Sequence, residues 1–476
     1  MTNIVRDLFT LNRSIQEVFG VKIALTSTMQ ELQSEWRNIV AGEAQWNNKD
    51  TRSLLLADAV AGEIASRVSL GLKCEVSGSV RADYINEQLK PIIDELQYTV
   101  AAVCNGGEAI YKPYMTADGI EVTLVETDSY WPIGYNTRNE LIDVIFGAVY
   151  QTDRYIYRLL ERQQYDAETQ THAIEYRAFK AEQTGHGFTP ENIGRPVELA
   201  EVPDWAQLQN IIIQGIESPL FVVIKAPPTK VFEKPQRQGV PVWAKAVDML
   251  KKADEHEART AWEFFGSELA VDVSDDHLES TGSNRPGEKK KAKLSLPQRE
   301  QRLFRKHNVG ALEQPLTVFN PEPRIAAYAH RMNDIMRRIE FLSGLSYGII
   351  SDNNMVEKTA EEFRSSKERL VTTVSGIQRD TMQSALEHLI DSFNVLADLQ
   401  LIPYGVYEST FEWSESYALD RQAEVSERFT LLNGGALFLD EFRAYYNEVT
   451  LDEARKELEE RGVPWNPVVN EYNAPT

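Results

Sequence analysis

The segment closest to a catalytic motif is the glycine-bounded run from Gly282 to Gly287, followed by Glu288 and Lys289. A phosphate-binding loop ends in Gly-Lys-Ser/Thr, so that the lysine meets the phosphates and a hydroxyl holds magnesium. Here Glu288 stands where the lysine is required, a lysine follows in place of the hydroxyl, and no apolar strand leads in. Nucleotide hydrolysis is therefore not expected. The seven histidines are scattered, without HExxH or HxH, and there is no GxSxG elbow. Acidic pairs such as Asp275-Asp276 and Glu361-Glu362 are what an acidic chain places on solvated faces. Cys74 and Cys104 form no CxxC or Cys/His cluster for zinc. These residue patterns point to no enzyme, no metal and no cofactor.

What remains is the chemistry of charge. The chain of 476 residues carries a formal charge of −22, with 72 acidic against 50 basic residues. Affinity for duplex DNA comes largely from lysine and arginine displacing phosphate counterions, so an acidic surface does not grip DNA. A conduit reverses that argument, because a polymer that must slide should not stick; acidic charge is also common in soluble proteins without any such role, so the charge alone decides nothing. The densest basic cluster is Arg285, Lys289, Lys290, Lys291 and Lys293, with Arg299, Arg302, Arg305 and Lys306 downstream. It reads either as a contact for DNA or an acidic partner, or as a solvated loop, since Ser, Asn, Gly and Pro dominate Ser280 to Gly287.

The elements that would position such residues follow from periodicity. Hydrophobic residues at 42% and charged residues at 26% are those of a folded chain with room for about two to four domains. No signal peptide opens it, and no apolar run reaches the ~20 residues of a bilayer span, so no membrane partner is expected. From Arg324 to Leu342, Ile325, Tyr328, Met332, Ile335, Met336 and Ile339 make one helical stripe, ended by Gly344. A polar loop, Gly344 to Val356, leads to a long helix from Lys358 to Phe393, in which Gly376 marks a local bend. Upstream, the Pro/Gly-rich joint Lys234 to Pro241 precedes a helix from Val242 to Phe265. Between the two helices Gly266 to Asn320 is polar, turn-rich and short-stranded.

The N-terminal third reads as helices (Asn3 to Phe19, Thr28 to Ala41, Arg52 to Leu70, and Ala82 to Val103 with a kink at Pro91), stopped by the glycines of Cys104 to Glu108. A β-meander follows, with turns at Asp118-Gly119 and Asn136 to Asn139 and strands continuing through Asp153 to Leu160 and His172 to Ala181. The fold class is therefore α+β. Tyr404 to Trp413 reads as a strand returning to that sheet. Three short helices close the chain: Asp420 to Leu432, Leu439 to Tyr446, and Leu451 to Arg461 with a Thr450/Glu453 capping box. Trp131, Trp205, Trp243 and Trp262 are spread along the chain, as packing residues are.

The order Asn320-Pro321, Arg324, helix, Gly344-Leu345-Ser346, polar loop, Lys358-Thr359-Ala360 with Glu361 or Glu362, long helix resembles the portal proteins of tailed bacteriophages. A helix that leaves, a small module and a helix that returns resemble that family's stem pair with a clip at its tip. The stretch GGEAIYKPY with the following DG turn and WPI resembles its wing. The resemblance implies a wing over residues 1–240, a first stem helix over 241–266, a small α/β clip over 267–322 and a second stem helix over 323–343. It further implies a tunnel loop over 344–356, a long helix and return strand over 357–418, and a helical crown over 419–476. It implies a ring of usually twelve copies at one capsid vertex, present in the virion and assembled in the host cytoplasm. Double-stranded DNA would be packaged through the ring by the terminase large subunit and later ejected. Major capsid and scaffolding proteins and a head-completion adaptor would be partners. Ser351, Asp352, Asn353 and Asn354 of the loop would face DNA, Lys358, Thr359, Ala360 and Glu361 would carry the family motif after it, and the basic clip cluster would meet DNA, motor or adaptor. The competing reading is an α+β binding or scaffold protein without a channel, its helix pair packed internally.

Overall fold

The computed structural model describes residues 12–116, 119–182, 193–227, 237–267, 270–274, 304–307, 316–319, 321–352, 360–413, 428–429, 431–432, 437–447 and 450–462. Helices and mostly antiparallel sheets occupy separate stretches, which makes the chain α+β. Two compact units divide it, Met1–Glu412 and Trp413–Thr476.

The first unit opens with α1 (Asn12–Phe19), α2 (Ser27–Val40) and α3 (Leu56–Val68). Helix α2 starts where Thr26 accepts the Met29 N–H at 3.2 Å, satisfying one of the orphan donors of the first turn. Helix α3 buries Ala57, Val60, Ala61, Ile64, Ala65 and Val68. The single helix expected from Ala82 to Val103 is instead two, α4 (Val80–Asp94) and α5 (Leu96–Gly106). Pro91 stays inside α4, and the break falls at Glu95, where ψ turns to 10°. Gly107 then stops α5 at φ 84°.

Two sheets follow. A three-stranded one has the order β10–β2–β3, from β2 (Glu108–Met115), β3 (Ile120–Glu126) and β10 (Val222–Lys225). A larger antiparallel sheet orders β4 (Tyr130–Tyr135), β5 (Leu141–Gln151), β6 (Tyr155–Asp166), β7 (Thr171–Glu182) and β8 (Arg195–Val197), with β9 (Ile211–Gln214) also on β7. The turn expected at Asn136 to Asn139 forms as the Asn136 side chain accepts the Arg138 and Glu140 amides, both at 2.9 Å, with Asn139 at φ 62°. One face of the large sheet buries Trp131, Ile145 and Leu160 against Ile15 of α1 and Ile23. Phe146, Val144 and Tyr130 pack toward Ile110 of the smaller sheet and Phe221 just before β10.

After the joint, a 3-10 turn at Ala244–Ala246 leads into α6 (Val247–Gly266), so the helix starts five residues later than its apolar spacing suggests. A small sheet of β11 (Ala270–Ser274), β12 (Phe304–His307) and β13 (Leu316–Phe319), in the order β12–β11–β13, separates α6 from α7 (Ile325–Ser343). Helix α8 (Ala360–Gly376), a π-helical segment (Ile377–Gln383) and α9 (Ser384–Leu399) then run on without interruption, roughly 60 Å at 1.5 Å per residue. The irregularity expected at Gly376 takes the form of this π segment. Within it Gln378 donates to the Val68 carbonyl at 3.2 Å and Thr381 to that of Lys225 at 3.0 Å. Helix α9 buries Leu386, Leu389, Ile390 and Phe393 almost completely, roughly 2 kcal/mol of transfer free energy apiece.

The return strand β14 (Glu408–Glu412) corrects one expectation. Its partner is not the meander but β1 (Lys73–Ser77), in a two-stranded antiparallel ribbon. Buried Arg81 holds the approach to it, with Nε 3.0 Å from the Pro403 carbonyl and Nη1 2.9 Å from Asn394 Oδ1 and 2.6 Å from Asp398.

The second unit contains α10 (Leu439–Asn447) and α11 (Leu451–Glu460). The Thr450/Glu453 capping box forms, and Arg443 and Asp440 of one helix pair with Glu457 and Arg455 of the other. Of the helix expected from Asp420 to Leu432, residues 428–429 and 431–432 are described and are helical.

Candidate functional site

Helices α6 and α7 form an antiparallel pair. Glu263 near the end of α6 meets Arg324 at the start of α7 in a two-pronged ion pair, 2.9 and 2.7 Å, and His256 stacks on Tyr328 with Nε2 2.9 Å from its carbonyl. The Arg324 fork holds the Glu263 carboxyl down at about 2. The root of the pair is anchored. Buried Asp254 accepts Trp46 Nε1 at 2.8 Å, Asn47 Nδ2 at 3.1 Å and the Leu54 N–H at 2.8 Å. Before α6, Trp243 donates to Asn105 at 3.1 Å and the Val242 N–H to the Cys104 carbonyl at 3.1 Å. There Gly239 and Gly107 pass so closely that a Cβ on Gly239 would lie 2.0 Å from the Gly107 carbonyl oxygen.

The far half of the pair is different. No residue of α6 after Asp254, and none of α7 before Asn333, is buried. Trp262 is 69% exposed, Phe265 57% and Ile325 50%. Two helices alone cannot cover these side chains, although their spacing is that of a packing face.

The polar loop is fixed at its root by α7. Glu340, fully buried, accepts three amides on Oε1, from Gly348 (3.0 Å), Ile350 (2.8 Å) and Ser351 (3.0 Å), and the Ser351 hydroxyl on Oε2 at 2.8 Å. Charge-assisted bonds to a carboxylate are stronger than neutral ones, so this turn is tightly held. One face of α7 therefore serves as the loop's template, since Asn333, seven residues earlier, brackets the Asp352 backbone. Gly344 ends α7 at φ 79°, and a Cβ there would lie 2.4 Å from Thr373 Oγ1 on α8. Tyr347 lies between the guanidiniums of Arg337 (4.8 Å) and Arg369 (5.4 Å), and Arg369 also covers Phe341 at 4.5 Å.

Ser351 is thus not a surface donor as expected from its polar neighbours. It is buried, and its hydroxyl is spent on Glu340. Asp352 is exposed. Asn353, Asn354, Lys358 and Thr359 lie outside the described residues, as does the basic cluster Arg285, Lys289, Lys290, Lys291 and Lys293. Ala360 and Glu361 begin α8. Periodicity alone passed over Glu340 and Asn333. The available signal was a glutamate beside Ile339 on a buried stripe, followed by a turn with glycines at positions 344 and 348.

Among the described residues no group of histidine, cysteine, aspartate and glutamate side chains is arranged to hold a metal, and no helix is long and apolar enough to cross a membrane. No family model matches the chain, and no curated protein is significantly similar to it.

Proposed function

We propose that this chain is the repeating subunit of a portal, a ring at one capsid vertex of a tailed bacteriophage through which double-stranded DNA is packaged and later ejected. One observation carries the reading: an antiparallel helix pair rooted in a folded body, whose distal half exposes Trp262, Phe264, Phe265 and Ile325. A ring supplies what such a pair lacks, because identical neighbours related by a closed rotation cover each other's faces. Twelve copies is the number the family resemblance implies. The net charge of −22 supports a bore in which DNA slides instead of adhering.

In this reading α6 and α7 are the stem, the small sheet between them belongs to the clip, and the uninterrupted 360–399 helix crosses the ring. The loop after α7 faces the DNA through Asp352, Asn353 and Asn354, with Ser351 as its internal anchor. The basic run from Arg285 to Lys293 meets the terminase large subunit, the adaptor or DNA. Capsid and scaffolding proteins contact the outer surface. The portal does no chemistry and needs no cofactor.

Negative-stain electron microscopy of the purified chain tests this. Annuli with an axial hole are expected; uniformly compact particles of one or two chains would remove the reading. Replacing residues 352–354 by glycine and serine should leave annuli intact while impairing DNA packaging or retention. Unchanged packaging would remove the loop's role.

A further inference from the structure

Strand β3 is an edge of its sheet. Its ladder leaves the even-numbered residues turned away from β2: the Ile120 N–H donates to Gln88 Oε1 at 3.1 Å, and the Glu126 carbonyl accepts from Ser129 at 3.0 Å. Between them Val122 and Leu124 have the same outward parity, and no described group hydrogen-bonds their outward main chain. Two open cavities meet at this edge, and Glu126 and Asp128 line both. One, of about 450 Å³, runs between β3 and the large sheet, over Phe146 and Leu159. The other, of about 320 Å³, is walled by Trp36, Tyr98, Asp58, Arg37 and Gln33.

The smaller cavity has a sign. Its walls carry three carboxylates, Asp58, Glu126 and Asp128, against one guanidinium, Arg37, or three minus one for a formal −2. Arg37 lies 3.6 Å from Asp128. Among the described residues Asp58 and Glu126 receive neutral donors only, Asn105 Nδ2 at 2.9 Å and the Tyr98 hydroxyl at 3.0 Å. Independently of the acids, Gln33 on the same wall is 6% exposed and its buried Oε1 lacks a donor among the described residues. A buried acceptor without a donor is costly, which points to a ligand bearing N–H groups. Trp36 and Tyr98 line the same cavity, and aromatic side chains are what a guanidinium or ammonium seeks.

We propose that this groove docks an extended segment of a partner protein that carries a lysine or arginine. The segment pairs with Val122 and Leu124 as a fourth strand and places its cation in the cavity of Asp58, Glu126 and Gln33. Main-chain pairing at a sheet edge gives affinity, and the acidic cavity gives selectivity. The same charges exclude nucleic acid from this face. The proposal does not depend on the ring.

Fluorescence anisotropy with a labelled ten-residue peptide of alternating valine and threonine and one central arginine tests it. Saturable binding is expected, weakened at least about tenfold when glutamate replaces the arginine. Asp58→Asn with Glu126→Gln, which preserve shape, should weaken the arginine peptide to a similar extent. A peptide N-methylated on alternate residues, which removes the strand-pairing donors without touching the protein, should not bind. Equal binding of the glutamate peptide, unchanged binding of the N-methylated one, or equally tight binding of free arginine amide would each overturn the proposal.

Discussion

Asn333 and Asp352 are joined by a reciprocal pair of hydrogen bonds. The Asn333 amide donates to the Asp352 carbonyl at 3.2 Å, and the Asp352 N–H returns to Asn333 Oδ1 at 2.7 Å. With Glu340 two turns along the same helix, this pair fixes where the polar loop leaves the body of the protein. Asn333→Ala should cost about 1–2 kcal/mol and Glu340→Gln about 2–3 kcal/mol, since each leaves buried backbone groups poorly matched. Denaturant unfolding measures both, and limited proteolysis should show faster cleavage within 344–359. An unchanged midpoint and cleavage rate in both variants would contradict the template role of α7.

Gly344 and Thr373 make the second joint of that loop. Gly344→Ala adds a Cβ at φ 79° and 2.4 Å from Thr373 Oγ1, and should destabilise by about 2–4 kcal/mol. Thr373→Ala in the same chain should recover the steric part and leave the backbone cost of about 1 kcal/mol. Additive losses from the two changes would show that the contact is not the cause.

Gly376 has the opposite prospect. Its backbone is helical at φ −61° and ψ −44°, and nothing lies within 4 Å of where an added methyl group would stand. Gly376→Ala should therefore stabilise by about 0.5–1 kcal/mol, read as a higher unfolding midpoint. A loss would mean that the π-helical turn beside it requires glycine.

His172 is buried between the sheets, with a ring nitrogen 3.0 Å from Gln163 Oε1 and its Nδ1 without a partner. Burial pushes its pKa down to about 4 from 6.5. The folded protein therefore resists protonating it, while the unfolded chain takes up the proton below 6.5. Its contribution is fully present above pH 6.5 and is lost as pH falls toward 4, by roughly 3 kcal/mol in all. His172→Gln should flatten the stability profile in that window relative to the parent chain. Parallel profiles would contradict a neutral buried imidazole.

Much of this architecture was legible in the sequence, and the losses have physical causes. The apolar stripe from Ile325 to Ile339 is long and periodic, so α7 could be read directly. The capping box at Thr450 was readable because its two residues are local. Strand β1 was not, because Lys73 to Ser77 is short and is a strand only through β14, more than 300 residues away in sequence. The break at Glu95 was displaced from Pro91, the residue that announces it. Ser351 reads as polar loop, and only the fold reveals that Glu340 consumes its hydroxyl.

Trp262 and Phe265 allow the fold and the proposed assembly to be tested apart. Both are more than half exposed, so replacing them together by serine should change the stability of a lone chain by no more than about 0.5 kcal/mol. If the chain forms the proposed ring, the same change should shift the population toward single chains.

Whether the chain closes into a ring is read most simply from its mass in solution, by light scattering coupled to size-exclusion chromatography. A closed ring of twelve 54.1 kDa chains predicts a species of about 650 kDa that persists on dilution. A mass of one or two chains at every concentration would contradict it.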